Sequence, residues 1–342
     1  MSTLILFAAT ACSASEIESR YFASVFSGDL SWVAGTEATN TTDLALKSRF
    51  DERFLLRVDS VELADVEDPL VAAIARRYED YWREALIAPA GIENAEQRLA
   101  GDLSRLIELD GVEADPDNLD SALSELLARR GFRHRGGRTP PLLDFMLWRG
   151  TRTTTHVVEL TDSQQEVVVH YLDDFIMRGW SHFATFGRSS TGGWADRDAL
   201  YCITEAYDLE SEDFKNSYLR HEARHFADYE RYPKLRGVDL EYRAKLTELA
   251  FATDAMRLLR KFQRHANEAS EAPHPLANWH VVQNMASHVS SPCNGEALRC
   301  LETASNQHLQ TLARRLLDDH SGKLESLGPG SVASALEPGM SD

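Results

Sequence analysis

The sequence predicts an α+β fold, mostly helical, in which a helical N-terminal region precedes a domain carrying a small antiparallel sheet. Three observations predict it. Apolar residues recur at helical spacing through most of residues 16–130. β-branched and aromatic runs separated by turn residues replace that spacing from about residue 152. Helical spacing returns after Ser211, with start and stop signals at its ends. The 342 residues suffice for one large or two medium domains, and 43% hydrophobic against 26% charged residues is the balance of a chain with a core.

In order along the chain, residues 71–86, 95–109 and 119–129 mix apolar and charged positions as amphipathic helices do, and the turn Asp115-Pro116-Asp117-Asn118 is placed to cap the last of them. Residues 131–141, with glycines, arginines and two prolines, predict a linker. The expected organisation is therefore a signal-like segment (1–15), a helical region (16–145), a second domain (150–322) and a disordered tail (323–342) rich in Gly, Ser and Pro. Residues 153–160 and 166–172 predict a hairpin about Thr161-Asp162-Ser163, and residues 199–206 a third strand. The loop 187–194 lacks the Gly-Lys-Ser/Thr ending of a phosphate motif and reads as a strand connector. Ser211 is placed to cap a helix to about Arg231, with Glu212 and Asp213 in the first turn, where acids suit the helix dipole. Pro233 and Gly237 end it; Asp239 is placed to cap a long helix to about His265, and a last helix covers roughly residues 296–319.

A net charge of −18 argues against nucleic acid or anionic lipid as the main partner, since either needs a basic footprint. No apolar run reaches the roughly 18 residues of a membrane-spanning helix. The run Leu4-Ile5-Leu6-Phe7-Ala8-Ala9 leads into Thr10-Ala11-Cys12-Ser13, and small residues directly before a cysteine resemble a bacterial lipoprotein cleavage site. That resemblance implies a signal peptide, a lipid anchor at Cys12 and a place in the bacterial cell envelope, in the periplasm or anchored at its membrane. Cys293 and Cys300 enclose a short loop suited to a disulfide in an oxidising compartment, and Cys202, inside an apolar run, reads as a buried thiol. No C-x-x-C pair is present, which disfavours a thiolate zinc site.

The chemistry sits in His221-Glu222-Ala223-Arg224-His225. On a helix, positions i and i+4 share a face, so His221 and His225 can direct two imidazoles at one metal ion, and Glu222, one residue round, can act as general base on water activated by that ion. A third ligand is expected from the next helix. On a wheel of that helix Glu241 and Glu248 fall at the edge of an apolar arc containing Leu240, Ala244 and Phe251, opposite Arg243 and Thr247. Carboxylates facing a core are costly unless paired or metal-bound. Glu241 has small Ala244 three residues on, whereas Phe251 crowds Glu248; Glu241 is preferred as ligand, with Glu248 supporting the site or serving as the alternative ligand. Glu241 also has an ordinary explanation, as a first-turn acid with Lys245 four residues on. Asp228 lies too far along the helix to share the ion and is expected to accept an imidazole N–H or to bond a loop. Tyr229, Tyr232, Tyr242, His274 and His280 are candidates for stabilising an oxyanion, none selected by spacing.

This H-E-x-x-H pattern followed by a carboxylate on the next helix resembles the gluzincin group of zincin metallopeptidases. The resemblance covers about residues 199–262. It implies a zincin-like catalytic domain, zinc as cofactor, a peptide or protein substrate, and hydrolysis by a peptidase or amidase mechanism with Glu222 as base. It also implies that the strand 199–206 binds substrate backbone by β-augmentation. Fifteen residues separate His225 from Glu241 and twenty-two separate it from Glu248, with thermolysin-like and aminopeptidase-like members between these values; their aspartate four residues beyond the ligand is Lys245 here. The subfamily and the third ligand stay open at this point. A competing expectation is a non-catalytic zincin-fold surface lipoprotein that acts as a binding or scaffolding module. No serine lies in a G-x-S-x-G setting, which disfavours a serine hydrolase.

Overall fold

The computed structural model describes residues 3–6, 16–60, 63, 66–111, 118–289 and 297–336. The chain is mostly helical with a small mixed sheet, and it divides into two compact units, residues 3–152 with 171–194 and residues 153–170 with 195–342. Among the described residues no helix is long and apolar enough to cross a membrane.

The N-terminal unit contains β1 (Thr3–Leu6), α1 (Glu16–Ser27), α2 (Thr41–Phe50), α3 (Pro69–Ile87), α4 (Ile92–Leu109), α5 (Leu119–Arg129) and β2 (Arg133–Thr139). It also holds the first part of β3 (Leu142–Glu159), the second part of β4 (Gln164–Arg178), α6 (Trp180–Ala184) and β5 (Thr191–Ala195). Helix α3 starts where the Asp68 side chain accepts the N–H groups of Leu70 and Val71, with Pro69 in the first helical position. Its buried stripe includes Ile74, Tyr78 and Trp82; Tyr78 stacks on Phe145 at 4.2 Å between centroids, and Trp82 lies 5.4 Å from Phe183. Each such ring contributes roughly 2–3 kcal/mol of burial, and the polar ends are satisfied: Trp82 Nε1 donates to the Leu143 carbonyl at 2.9 Å and Tyr21 Oη to that of Ala184 at 2.8 Å.

The C-terminal unit takes the far ends of β3 and β4, closed as a hairpin by Leu160 N–H donating to the Ser163 carbonyl at 2.9 Å. There follow β6 (Leu200–Ile203), α7 (Glu212–Phe214), a π-helical stretch (Lys215–Arg220) and α8 (His221–Arg231). The remaining helices are α9 (Gly237–Phe251), α10 (Ala255–Arg264), α11 (Pro273–Ser287), α12 (Ala297–Leu301) and α13 (Asn306–Leu327). Ser211 caps α7 as expected, its Oγ accepting Phe214 N–H at 3.1 Å. Helix α9 is central, packed by α8, α11 and α13, and its core side includes Leu246, Leu249 and Ala250 with Val281 and Met285 of α11 and Leu309 and Leu317 of α13.

Several expectations are corrected. The expected linker 131–141 is largely β2, paired antiparallel with β3 from Arg133↔Trp148 to Thr139↔Leu142. Its glycines hid it: a Cβ on Gly136 would stand 2.2 Å from Asp120 Oδ1, so glycine there serves a close approach, not a flexible joint. The sheet is mixed, not wholly antiparallel; β6 reaches its neighbour β4 only after a connection containing α6, and no tight turn fixes its direction. No single boundary near residue 145 divides the chain, because β3 and β4 contribute to both units.

The long helix expected at 239–265 is two helices: α9 ends at Phe251, and Asp254 caps α10 through Arg257 N–H at 2.9 Å. Asp239 is no cap but a buried acid in the first turn of α9. The wheel also misplaced Arg243 and Thr247, which are 0% exposed, because α9 has helices on several sides and buries every residue from Val238 to Ala250. The tail expected to be disordered from 323 is folded through 336: α13 runs to Leu327, and Val332 packs with Tyr232, Leu235, Leu240 and Leu324. Cys202 is a free, buried thiol, and Cys300 is disulfide-bonded. Cys12, Cys293 and Asp115–Asp117 lie outside the described residues.

The buried polar centre behind α9 gives this unit an acid-sensitive stability. Asp239 accepts Ser334 Oγ at 2.6 Å and Ala335 N–H at 2.8 Å, and lies 3.0 Å from His320 Nε2. Burial lowers the His320 pKa below its ordinary 6.5, against the pull of Asp239. Asp239 is itself held below the usual carboxylate value, since its hydrogen bonds from His320, Ser334 and Ala335 together outweigh burial. Both groups have depressed folded-state values, so both contribute stability that is present above the unfolded pKa and lost on acidification. The histidine contribution disappears first, as the pH falls from about 6.5 toward its lower folded value. Denaturant unfolding at pH 7.5 and 5.5 should therefore show a drop for the natural chain that His320→Gln reduces; equal drops would contradict the assignment.

Candidate metal centre

The six residues before His221 wind as a wider π-helical turn, a feature that re-aims the residues after it and recurs at functional sites. Asn216 Nδ2 donates to the Glu248 carbonyl at 2.8 Å, Tyr218 Oη to that of Tyr201 at 3.0 Å, and Arg220 Nε to that of Glu159 at 3.0 Å. Beyond this turn, Arg224 pairs with Asp162 at the hairpin turn and Asp228 with Arg243 of α9 at 2.8 Å. Helix α8 is thus fixed against both the hairpin and α9.

Both imidazoles of the motif face α9. His221 Nε2 and His225 Nε2 are 3.1 Å apart, His225 Nε2 is 3.3 Å from Glu241 Oε1, and His221 Nε2 is 3.4 Å from Glu241 Oε2. All three residues are buried. In a tetrahedral zinc shell with bonds of about 2.0–2.1 Å, neighbouring ligand atoms stand about 3.3–3.4 Å apart. The two imidazole nitrogens and the Glu241 carboxylate, which meets each imidazole through a different oxygen, lie near that spacing, and one ligand atom from each residue falls within 4.8 Å of the others, so the group could hold a metal ion. His221 Nδ1 lies 2.7 Å from Glu248 Oε1, the carboxylate–histidine contact that leaves Nε2 free for a cation.

The electrostatics agree with the distances. Burial opposes charge on His221, but Glu241 and Glu248 outweigh it and push its pKa up to about 10. Burial likewise opposes charge on the carboxyls, yet the imidazoles hold Glu241 well below, and Glu248 below, the usual range. The cluster therefore keeps a positive charge at its centre; a divalent cation meets the same field and must displace that proton. Lys245 Nζ, buried, lies 3.7 Å from Glu241 Oε2, so the ordinary ion pair and the ligand geometry coexist.

Glu222 is 2% exposed, beside His221 on α8. Of the oxyanion candidates, two are brought to the cluster. His274, in the first turn of α11, places Nδ1 2.8 Å from Glu241 Oε2 with its side chain 43% exposed. Tyr229, 47% exposed, stacks on His225 at 6.3 Å, and burial followed by the charges of Glu222 and Glu241 raises its hydroxyl pKa, keeping it a donor. The others serve elsewhere: Tyr232 Oη donates to Glu325 at 3.1 Å, Tyr242 Oη accepts Asn284 Nδ2 at 3.0 Å, and His280 packs on Trp279 at 4.9 Å.

Two expectations fail here. Among the described residues Asp228 bonds neither an imidazole nor a loop; it is the buried partner of Arg243, which the sequence placed at the surface. Strand β6 has a hydrogen-bonded neighbour on each side, so it presents no edge for an added substrate strand. The sequence had no signal for the contact of His274 with Glu241, which depends on how α11 packs against α9. No family model, curated protein or solved structure matches this chain, so the reading of the centre rests on its own geometry.

Proposed function

We propose that the C-terminal unit is a zinc-dependent hydrolase of gluzincin type, a peptidase or amidase, with His221, His225 and Glu241 as the residues that hold the ion. The observation that carries the reading is the buried triangle of residues in which the two imidazole nitrogens stand 3.1 Å apart and each meets one oxygen of the Glu241 carboxylate, at 3.3 and 3.4 Å. Zinc, when bound, supplies Lewis acidity and makes a water acidic near neutral pH. Glu222 removes the proton from the attacking water and hands it to the leaving amine. Glu248 fixes the tautomer of His221 so that Nε2 faces the cluster. His274 steadies the second oxygen of Glu241, and Tyr229, at the exposed side, donates a hydrogen bond to the carbonyl oxygen as it gains charge. A peptide or protein substrate enters from the side of Tyr229 and His274. The envelope location and the lipid anchor at Cys12 are proposals that rest on the sequence alone.

A second reading, a non-catalytic module with a structural metal, is favoured by one observation: His221, His225 and Glu241 are all buried, and closed shells mark structural zinc. The two readings part in one assay. The purified chain should cleave members of a peptide library, a chelator should abolish the cleavage, and added zinc should restore it. Tight zinc binding with no cleavage of any peptide or amide favours the structural reading.

A further inference from the structure

Outside the metal centre, the N-terminal unit brings a serine, an imidazole and a carboxylate into line. Asp120 and Ser124 stand one helical turn apart on α5, so their side chains share a face. Helix α5 packs on β2, where His134 places its ring between them. Its Nε2 lies 3.0 Å from Asp120 Oδ1, and its Nδ1 lies 3.3 Å from Ser124 Oγ. Gly136, two residues on and on the same side of β2, makes the room, since a Cβ there would collide with the Asp120 carboxylate. The His134 ring also lies 5.6 Å from that of Phe145, and its side chain is 2% exposed. Ser124 is exposed. The imidazole is thus sheltered while the hydroxyl is open to solvent.

Elementary chemistry places the protons. A carboxylate only accepts, so the nitrogen facing Asp120 carries the hydrogen. In the neutral imidazole Nδ1 is then a bare acceptor, and the group it faces is the Ser124 hydroxyl. The hydrogen bond from His134 holds the Asp120 carboxyl below its ordinary value, against its partial burial, so the carboxylate stays charged. Hydroxyl, imidazole acceptor and carboxylate follow the order in which a base takes a serine's proton while an acid orients that base. Such a constellation is recognised by geometry and not by position in the sequence, so the lack of a G-x-S-x-G setting does not bear on it.

We propose that Ser124 is a nucleophile that takes an acyl group from a small carboxylic ester, with His134 as its base and Asp120 as the residue that positions His134. Ser124 Oγ attacks the ester carbonyl carbon as its proton passes to His134 Nδ1. The bond to the leaving alkoxide breaks, and the alkoxide takes that proton, which leaves acyl-Ser124 and an alcohol. Water then repeats the sequence on the acyl carbon, frees a carboxylic acid and restores Ser124. The hydroxyl lies mid-helix, where backbone N–H groups are engaged within the helix, so solvent carries the oxyanion. Without the factor of about 10²–10³ that a fixed donor supplies, the reaction is slow and favours esters with good leaving groups.

The full chain, held in a chelator to silence the zinc centre, is tested with p-nitrophenyl acetate. Nitrophenol should be released in a burst of about one per chain before slower turnover, and peptide mass mapping should find the acetyl group on Ser124. Ser124→Ala, at an exposed helix position, should abolish the burst and leave the thermal melt unchanged. His134→Gln should slow acetylation about a hundredfold. Asp120→Asn should slow it about tenfold, and nitrogen NMR should show the His134 proton on Nε2 in the natural chain and spread over both nitrogens in that variant. If His134→Gln does not fold, Asp120→Asn, whose side chain is 70% exposed, decides. No burst in the chelator, acetyl groups on other residues with none on Ser124, or an unchanged rate in the deciding variant each overturns the proposal.

Discussion

Glu222→Gln should bind zinc with the stoichiometry and affinity of the natural chain and hydrolyse peptides about 10²–10⁴ times more slowly. The substitution is nearly isosteric, and Glu222 is not a member of the buried triangle, so the donor set is untouched. What disappears is an acceptor for the proton of the attacking water, which a neutral amide cannot replace. Two outcomes would count against the proposal. A variant with unimpaired turnover would show that Glu222 is a buried acid and no more. A variant that loses zinc along with activity would show that the carboxylate holds the centre together instead of serving its chemistry.

Arg243→Ala should be the most damaging substitution for stability. Arg243 is 0% exposed, and its guanidinium joins Asp228 at 2.8 Å, Ser321 Oγ at 2.9 Å and the Tyr232 ring at 5.2 Å. Removing it leaves the Asp228 carboxylate buried, with Arg224 Nη1 at 3.9 Å as its remaining cation among the described residues. Breaking one side of a buried pair costs about 3–5 kcal/mol, against within about 0.5 kcal/mol for a surface site. A melting temperature lower by roughly 10 °C follows. In a double-mutant cycle, Asp228→Ala should cost little more once Arg243 is gone, because the two charges act as a unit. Because α8 carries both imidazoles and α9 carries Glu241, the pair also sets the distance between them, and zinc affinity should fall in the same variant.

What could be read without coordinates was whatever depends on spacing along the chain. The i, i+4 histidines, the capping Ser211 and the three N-terminal helices at 71–129 are local patterns, and they folded as such. Glu241 was preferred to Glu248 by the size of the residue three positions on, and the structure places Glu241 beside both imidazoles and Glu248, among the described residues, against only that of His221. The failures share a cause in tertiary structure. Strand β2 is dictated by its partner β3 and by the approach of Asp120, while its own composition reads as a linker. A helix wheel assumes one wet side, and α9 has none, so Arg243, Thr247 and Asp239 appeared exposed or capping when they are buried partners. The contact of His274 with Glu241 spans two helices whose packing no spacing rule fixes.

X-ray absorption on the zinc-loaded chain addresses the central claim most directly. One zinc per chain is expected, bound by two imidazole nitrogens and a carboxylate oxygen at about 2.0–2.1 Å, with the signal lost in His225→Ala and Glu241→Ala and kept in Glu222→Gln. A chain that takes up no zinc, or one whose zinc shell is unchanged in His225→Ala, would contradict it.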